Sequence, residues 1–403
     1  MKKRILVFVF LILQIVFTSG CWNRREPGEL GLVAAVGLDK DGENKVKLTV
    51  QIIKPGEIKA PVSKGGPGSP KAVWVVSSTG NTSFEAVRDF VNQTGRRLFW
   101  AHNKVIIIGE ELAADGVVRY LDFFIRDPEL RRRSFVLVAR GKAEEILQAE
   151  HPLEKIPATA IEGSTKAGKN SSTSAVVNLK QFVDMLTSDS RDPVASRIEL
   201  TPEEAPKKRG IETTEGGGKE ETVNRFKVDG AAVFKRSKLV GWLNKTETRG
   251  MLWVTGKVDK GIVDVNCPEH NGLVSIEVIR ASGKIKPVIK DGEITVNVDI
   301  KTEGNLGEQA CQLDLTKPEV LHRLEEAEAA VIQEEVMAAL TKAQQEFGAD
   351  IFGFGEEIHR TFPREWKNLQ KNWDNIYPQL KVDVKVKTLL WYTGLRSTIK
   401  VRQ

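Results

Sequence analysis

Cysteine and histidine, the residues that most often build metal sites and covalent scaffolds, are scarce in this chain. Its 403 residues include 3 cysteines and 5 histidines. No CxxC pair and no HExxH motif occurs, so the sequence offers neither a cysteine zinc site nor a zincin-type site. The histidines are His102, His151, His270, His322 and His359. Their scatter predicts no catalytic cluster, no metal and no cofactor.

A long apolar run and a strong excess of one charge are also missing. The formal net charge is +6, and removal of residues 2–4 would leave +3, with acidic and basic residues interspersed throughout. So weak a bias does not indicate a nucleic-acid partner. The apolar run at residues 5–17, interrupted by Gln14, is shorter than the roughly 20 residues that span a bilayer.

That short run belongs to a signal peptide. Lys2-Lys3-Arg4 precedes it, and the small residues Thr18-Ser19-Gly20 lead from it to Cys21. We predict a lipoprotein signal peptide at 1–20 and cleavage after Gly20. Cys21 would carry S-diacylglycerol on its sulfur and an N-acyl chain such as palmitate on its freed amine. An ordinary secretory signal with a chance cysteine is the alternative, and Thr18 stands where lipoprotein signals usually carry leucine.

The predicted anchor places the rest of the chain outside the cytoplasmic membrane. Two or more acyl chains hold a protein stably on a bilayer, whereas one does not. The sequence contains no second apolar run that approaches spanning length. We therefore expect a membrane-tethered, extracytoplasmic body.

Residues 21–200 alternate strand and helix patterns, which predicts an α/β N-terminal domain. Residues 45–53 alternate apolar and polar side chains, as a half-buried strand does. The capping box at residues 82–85 opens a helix whose predicted buried stripe is Phe84, Val87 and Val91.

Residues 201–224 are predicted to be a linker at a domain boundary, because they combine glycine, proline and charge with almost no large apolar side chain. Residues 225–403 then predict an α+β C-terminal region, a largely antiparallel sheet packed by one long helix. Asp291-Gly292 is typical of a hairpin turn, and the long helix has Pro318 in its first turn. Its apolar face is predicted to include Leu321, Leu324, Ala327 and Val331.

Two features close to the predicted strands admit more than one interpretation. Cys267 and Cys311 form either a disulfide or two buried thiols, and two thiols are favoured because two cysteines make no disulfide scaffold. The run Arg131-Arg132-Arg133 is either a solvated connection, which is the favoured interpretation, or a contact for anionic lipid headgroups.

Three other features are interpreted as structural rather than functional. Trp366 and Trp373 lie seven residues apart and are expected in the core rather than on a partner surface. Residues 353–355, Gly-Phe-Gly, lack the strand, turn and helix of a phosphate loop and predict a turn. His102 precedes a strand at Lys104 and is expected to be structural rather than a site residue. The sequence therefore predicts no catalytic residues.

Four blocks of sequence resemble the Ger(x)C family, the lipoprotein C-subunits of bacterial spore germination receptors. The first is CWNRREPGELGLVAAVGLD (21–39), in which Asn23 stands where an acidic residue is usual. The others are RRLFWAHNKVIIIGEELAADGVVRYLDFFIRDPELR (96–131), GAAVFKRSKLVGWLNKTETRGMLWVTGKV (230–258) and ADIFGFGEEIHRTFPREWKNLQKNWDNIYP (349–378). The blocks occur in the family's order and cover nearly the whole mature chain.

The resemblance implies a non-enzymatic subunit of a nutrient germinant receptor. Such a subunit is attached by lipid to the outer face of the spore's inner membrane and works with integral-membrane A-type and B-type subunits. It implies a fold of α/β and α+β domains, and of the site residues it implies only the lipidated Cys21 and the junction after Gly20. Whether this subunit binds the nutrient directly is left open.

A lipid-anchored extracytoplasmic solute-binding protein or wall hydrolase is the alternative function. Either would need a large cleft with convergent polar groups between the two halves of the chain. A hydrolase would also need carboxylates, histidines or a metal with perturbed chemistry in that cleft.

Overall fold

The computed structural model of the chain describes residues 3–5, 26–58, 71–203, 223–268, 271–311, 314 and 317–391. Cys21, the Gly20–Cys21 junction and the signal peptide apart from residues 3–5 lie outside the described residues. Within those ranges no helix is both long and apolar enough to cross a bilayer.

The N-terminal half is built on a large mixed sheet. Its strands are β1 (Leu30–Asp41), β2 (Lys45–Ile53), β3 (Val73–Gly80), β4 (Arg97–Phe99), β5 (Val105–Ile108), β6 (Phe135–Ala139), β7 (Val177–Asn178), β8 (Val194–Glu203), β9 (Val223–Lys235) and β10 (Lys238–Leu243). Their order is β10-β9-β8-β6-β5-β1-β2-β3, with β4 beside β1 and β7 beside β6. Strands β1, β5, β6 and β8 run parallel, and antiparallel strands flank them on both sides.

Helices cover both faces of this sheet. They are α1 (Pro55–Ile58), α2 (Ser83–Thr94), α3 (Glu110–Asp115), α4 (Val118–Arg126), α5 (Ala143–Gln148), α6 (Pro157–Asn170) and α7 (Leu179–Leu186). In β5, Ile106 and Ile108 pack in the core that includes α2 and α4, whereas Val105 and Ile107 pack in the core that includes α5 and α6. A parallel strand buried on both faces is apolar at every position, as β5 is. The predicted α/β class of this half is confirmed.

Helix α2 has the predicted ends but not the predicted buried face. Thr82 caps its N-terminus by accepting a hydrogen bond from the Glu85 amide, and Gly95 ends it with a φ of 64°. The buried residues are Ser83, Ala86 and Phe90, whereas Phe84 is 50% exposed and Val91 is 43% exposed. The predicted stripe was wrong at Phe84 and Val91, whereas Val87 is partly buried and packs against the core, and the small Ser83 and Ala86 occupy the rest of the buried face. Phe90 then supplies the one large buried side chain.

The Thr82 cap gives a test of this local fold. Thr82→Ala should lower the free energy of unfolding by about 1 kcal/mol, since the orphan amide of Glu85 loses its acceptor. Urea titration measures the free energy of unfolding of Thr82→Ala. Val91→Ala, at an exposed position on the same helix, is the control. Equal stability of the two variants would contradict the cap.

The C-terminal half carries a second, four-stranded sheet. Its strands are β11 (Gly261–Asn266), β12 (Leu273–Lys290), β13 (Glu293–Gln309) and β14 (Lys381–Trp391), in that order. Strands β11, β12 and β13 are antiparallel, and β14 runs parallel to β13. Asp291 and Gly292 both have positive φ, 52° and 83°, as the two central residues of a type I′ hairpin turn do. The predicted hairpin and the α+β class are confirmed.

One long helix packs on this sheet, as predicted, and shorter ones surround it. They are α8 (Lys245–Val254), α9 (Pro318–Thr341), α10 (Phe354–Thr361), α11 (Pro363–Leu369) and α12 (Trp373–Ile376). Single turns of other helix types occupy Pro27–Glu29, Trp100–His102, Lys342–Glu346, Gln370–Asn372 and Tyr377–Gln379. The buried positions of α9 include Val320, Leu324, Ile332 and Val336, spaced by multiples of four, and Glu328 and Glu335 lie among them.

The predicted linker at 201–224 connects two strands of one sheet. Strands β8 and β9 pair from Val194↔Val233 to Glu203↔Val223, so both ends of the segment are strand residues. Residues 204–222 lie outside the described part of the chain. Strands β9 and β10, which the predicted boundary assigned to the C-terminal region, extend the large sheet because they satisfy the open edge of β8. The division into domains stays a prediction.

The preference for two free thiols at Cys267 and Cys311 was wrong. The structure joins them in a disulfide with a Cα–Cα separation of 6.5 Å. Cys267 follows β11 and Cys311 follows β13, on either side of the start of β12. The amide of Cys267 donates to the Gly272 carbonyl, and that of Ala310 donates to Leu273. Sheet register therefore brings together two cysteines that are 44 residues apart in sequence.

Candidate functional site

The predicted lipidation site cannot be located in the structure, because Cys21 lies outside the described residues. His270 lies outside them too. The other histidines are far from forming a cluster: His151 stacks on Phe226, and His359 stacks on Trp366. His322 lies 3.4 Å from Glu326 on the exposed face of α9, and His102 contacts Phe99. Each of the four described histidines thus has a local contact of its own, and they form no shared site.

The tryptophan pair and the Gly-Phe-Gly segment belong to one packed core. Trp366 and Trp373 are buried, with ring centroids 5.2 Å apart at an angle of 67°. A Cβ at Gly355 would lie 2.7 Å from both the Ser190 carbonyl oxygen and the Trp366 ring. Residues 353–355 are therefore tightly packed, but the predicted turn is confirmed only at Gly353, which turns the chain with a φ of 80°, because Phe354 and Gly355 already begin α10.

The side chain of Asp350 fixes that turn. One carboxylate oxygen accepts from the amides of Gly353 and Phe354 at 2.9 and 3.0 Å, and the other accepts from Gly355 at 2.8 Å. Burial raises the pKa of Asp350 to about 6, in spite of these hydrogen bonds and with a contribution from the charge of Asp192. The carboxylate thus replaces solvent for three amides at the start of α10.

Asp192, in the loop before β8, links this turn to the large sheet. Its carboxylate accepts from the amides of Asp350 and Arg236 at 2.9 and 2.7 Å. Lys235 adds an ion pair to Asp192 at 3.3 Å and another to Asp374 at 2.6 Å. Acidic side chains from both halves therefore converge on the β9–β10 hairpin.

We call this region the β10 junction: the hairpin from Val233 to Leu243, α3 on one side and residues 347–377 on the other. On the α3 side, the Trp242 indole donates to Glu110 at 3.3 Å, and the Val117 amide donates to Ser237 at 3.0 Å. On the other side, the Phe347 ring fills the space that a side chain at position 241 would need. Three of the four blocks that carry the family resemblance meet here, so they form an interior joint.

Sequence reasoning also missed the buried acid that joins α8 to α9. Glu335 of α9 makes a bidentate ion pair with Arg249 of α8 and accepts from the Trp253 indole at 2.9 Å. Gly250 lets the helices approach so closely that a Cβ there would overlap the Glu335 carbonyl oxygen. The sequence did carry an indication of buried acids in α9. Its buried apolar residues recur at every fourth position, this repeat includes Glu328, and Glu335 follows seven residues later.

A polar cleft lies between the two halves, but it is small. Its volume is about 220 Å³, and its lining includes Arg191, Lys257 and Glu356. Burial, with the charge of Arg191, lowers the pKa of Lys257 to about 8, while Glu356 lies 3.7 Å from Arg191. Sites for drug-sized ligands usually enclose about 300–1,000 Å³. This cleft does not supply the large site that the alternative functions require.

A second cavity of about 410 Å³ lies where the chain enters the large sheet. Gly31, Ile52, Trp74 and Arg96 are among its lining residues. The cavity lies beside β2 and β3, on the opposite side of the strand order from β10. No histidine or cysteine is among its lining residues.

Comparison with known proteins places both halves in one family. The model of the spore germination protein N-terminal domain matches residues 23–200, and the model described as spore germination B3/GerAC-like, C-terminal, matches residues 229–394. Among curated relatives, spore germination protein KC of Bacillus subtilis (strain 168) is 29% identical over 98% of both chains. Spore germination protein B3 of the same organism is 27% identical over 95% of this chain and 96% of its own length.

A solved structure has the same fold. The crystal structure of the GerBC protein aligns with 88% of this chain and 96% of its own, with a TM-score of 0.56 and 24% sequence identity. The two-part architecture, α/β and then α+β, is thus shared. Together these matches show that the chain belongs to the GerAC-like, or Ger(x)C, family of spore germination proteins.

Proposed function

We propose that this chain is the lipid-anchored, non-enzymatic C-subunit of a spore nutrient germinant receptor. The observation that carries the proposal is similarity over the full length. Relatives named for spore germination align with 95% or more of this chain and of their own length. Their similarity spans both sheets and the β10 junction, so it concerns the whole architecture rather than one module.

The anchor is proposed at Cys21, after cleavage behind Gly20. The basic cluster, the apolar run and the small residues before Cys21 support it, since this order is typical of a lipoprotein signal. Each buried methylene contributes about 0.8 kcal/mol, so diacylglycerol and an N-acyl chain together would hold the protein durably on a bilayer. The proposed location is the outer face of the spore's inner membrane.

The proposed partners are integral-membrane A-type and B-type subunits. The described part of the chain supports a structural role for three of its buried acids, because Asp192, Asp350 and Glu335 are occupied by amides, an arginine and an indole. None of the three lines the 220 Å³ cleft or the 410 Å³ cavity. The subunit would act by holding a rigid two-sheet body against its partners in the membrane.

Replacing Cys21 tests the anchor and its role together. Cys21→Ala should move the protein from the membrane to the soluble fraction of spore extracts, or leave it with an uncleaved signal. In either case it should strongly impair nutrient-triggered germination. Ser19→Ala, which keeps a small residue at its position, is the matched control. Full germination by spores whose Cys21→Ala protein is entirely soluble would sink the proposal.

A further inference from the structure

One edge of the large sheet lies close to the proposed anchor. Because β1, β5, β6 and β8 are parallel, their N-terminal ends share that edge. The chain enters it at Leu30, nine residues after Cys21. Nine residues reach at most about 30 Å. We call this side of the sheet the anchor edge.

Three consecutive arginines lie on the anchor edge. Arg131, Arg132 and Arg133 are exposed in the connection from α4 to β6, and none forms an ion pair within the described part of the chain. The same connection is tied to the entry of β1, since Glu129 pairs with Arg97 at 2.6 Å and Arg97 lies beside Leu30 in register. The arginines are therefore held near the point where the tether arrives.

The charges differ between the two edges of the sheet. Exposed Arg96 adds a further cation to the anchor edge, while Glu162 is occupied there by Lys104. Glu26 and Glu29, just before β1, oppose part of this charge. At the opposite edge, where β1 turns into β2 and where β5 and β6 end, exposed acids (Asp41, Glu43 and Glu111) are mixed with exposed bases (Lys45, Arg140 and Lys142), and no run of one sign occurs among the described residues there. The sheet thus presents its arginine run on the side that faces the tether.

Exposed apolar side chains occupy the same edge. Trp74, at the start of β3, is 40% exposed and lines the cavity that also contains Arg96. Leu153 is 86% exposed, and its neighbours are held at this edge by an ion pair between Lys71 and Glu150 at 2.8 Å. Indole rings are favoured at the depth of lipid headgroups.

We propose that the anchor edge rests on an anionic lipid surface, with Arg131–Arg133 at the phosphates and Trp74 at headgroup depth. The inference rests on the proposed lipid anchor, which brings the edge to the bilayer, and adds an orientation for the body. An anchor alone would leave the body free to tumble on its tether. Arginines near the surface attract anionic lipid within a Debye length, about 8 Å at physiological salt.

Energy transfer to lipid headgroups tests this orientation. A fluorophore on Gln93→Cys reports the anchor edge, and one on Glu43→Cys reports the opposite edge. Cys21 carries the lipid and Cys267 is bonded to Cys311, so only the introduced thiol reacts. The lipid-bearing chain is placed in vesicles of phosphatidylcholine, alone or mixed with phosphatidylglycerol, that contain an acceptor-labelled headgroup.

Anionic lipid should raise transfer from position 93 and leave position 43 low, and about 1 M salt should remove the difference. The triple variant Arg131→Gln, Arg132→Gln, Arg133→Gln should lose the response. Lys381→Gln, Lys385→Gln, Lys387→Gln removes equal charge from an exposed strand face and should keep it. Equal transfer from both positions, or an arginine variant that responds like the unsubstituted chain, overturns the inference. A loss in both triple variants means that net charge is responsible, and also overturns it. A chain that does not float with any vesicle contradicts the anchor itself.

Discussion

Glu335→Ala is expected to lower the free energy of unfolding by about 3–5 kcal/mol, the usual effect of removing one partner from a buried ion pair. Among the described residues, the substitution leaves the Arg249 guanidinium, whose side chain is 19% exposed, with only the Ile262 carbonyl as acceptor. It also leaves the buried indole of Trp253 without its acceptor. Both losses occur where α8 and α9 touch, so the joint between the two sheets should weaken most.

Two further variants separate charge from packing in that result. Glu335→Gln keeps an oxygen for the Trp253 indole but loses the charge, so its destabilisation should be smaller than that of Glu335→Ala. Met337→Ala removes a side chain that is 45% exposed on the same helix and should cost little. Urea titrations of the three variants are the measurement. The buried ion pair has no special role if Glu335→Ala and Met337→Ala unfold at the same urea concentration.

Local signals in the sequence predicted local structure well. Strand β2 has the predicted bounds, Lys45–Ile53, and the capping box at Thr82 and the turn at Asp291-Gly292 form as expected. In each case the determining contacts lie within four residues of one another, or in an alternation that a single strand sets by itself. The fold class follows from the same signals, because alternating strands and helices have few layered solutions.

What the sequence did not reveal concerns contacts between residues that are distant in sequence. The pairing of β8 with β9 spans a segment whose composition indicates a linker, and composition does not reveal which edge a later strand will join. Likewise, Cys267 and Cys311 meet only because three strands set their register. The exposed Phe84 packs beside Phe123 of α4, with ring centroids 5.7 Å apart. None of these neighbours could be identified from one sequence.

Of the candidate functional residues, the sequence predicted only the lipid anchor at Cys21, and that stays a prediction. Asp192, Asp350 and Glu335 look like ordinary surface acids in the sequence, since acidic residues are almost never fully buried unless paired. Asp192 is bonded to residues of the other half, Glu335 to residues more than 80 positions away, and Asp350 to the three amides at the start of α10. The blocks that carry the family resemblance are therefore best understood as the joint that makes the body rigid. Surfaces for partners have to be sought among their exposed residues, such as Arg96 and Arg131, or outside them.

Glu328 should make the stability of the chain fall as pH rises from 5 to 8. It is fully buried on α9, and neither carboxylate oxygen has a hydrogen-bond partner in the described part of the chain. Burial, with the charge of Glu325 one turn earlier, raises the pKa of Glu328 from 4.5 to about 7. Glu325 is itself held in place, because its carboxylate accepts from the Leu390 amide at 3.0 Å.

The sign follows from proton binding. Between pH 4.5 and 7 the folded chain keeps a proton on Glu328 that the unfolded chain has released, so raising the pH favours unfolding. The stabilisation by that proton is complete below pH 4.5 and is lost as pH rises through about 7. With about 1.4 kcal/mol for each pKa unit, the loss between about pH 5 and pH 8 is roughly 2–3 kcal/mol.

Glu328→Gln should remove this dependence, because the amide resembles the protonated acid and stays neutral. The variant should match the unsubstituted chain at pH 5 and exceed it by roughly 2–3 kcal/mol at pH 8. Glu334→Gln, an exposed acid on the same helix, should change neither value. Urea titrations across this pH range are the measurement. The comparison uses the difference in free energy of unfolding between each variant and the unsubstituted chain, because the titration of all other groups is common to both and cancels. Parallel curves for the unsubstituted chain and Glu328→Gln would mean that Glu328 stays ionised in the folded chain. The buried stripe of α9 would then have to admit water to this carboxylate.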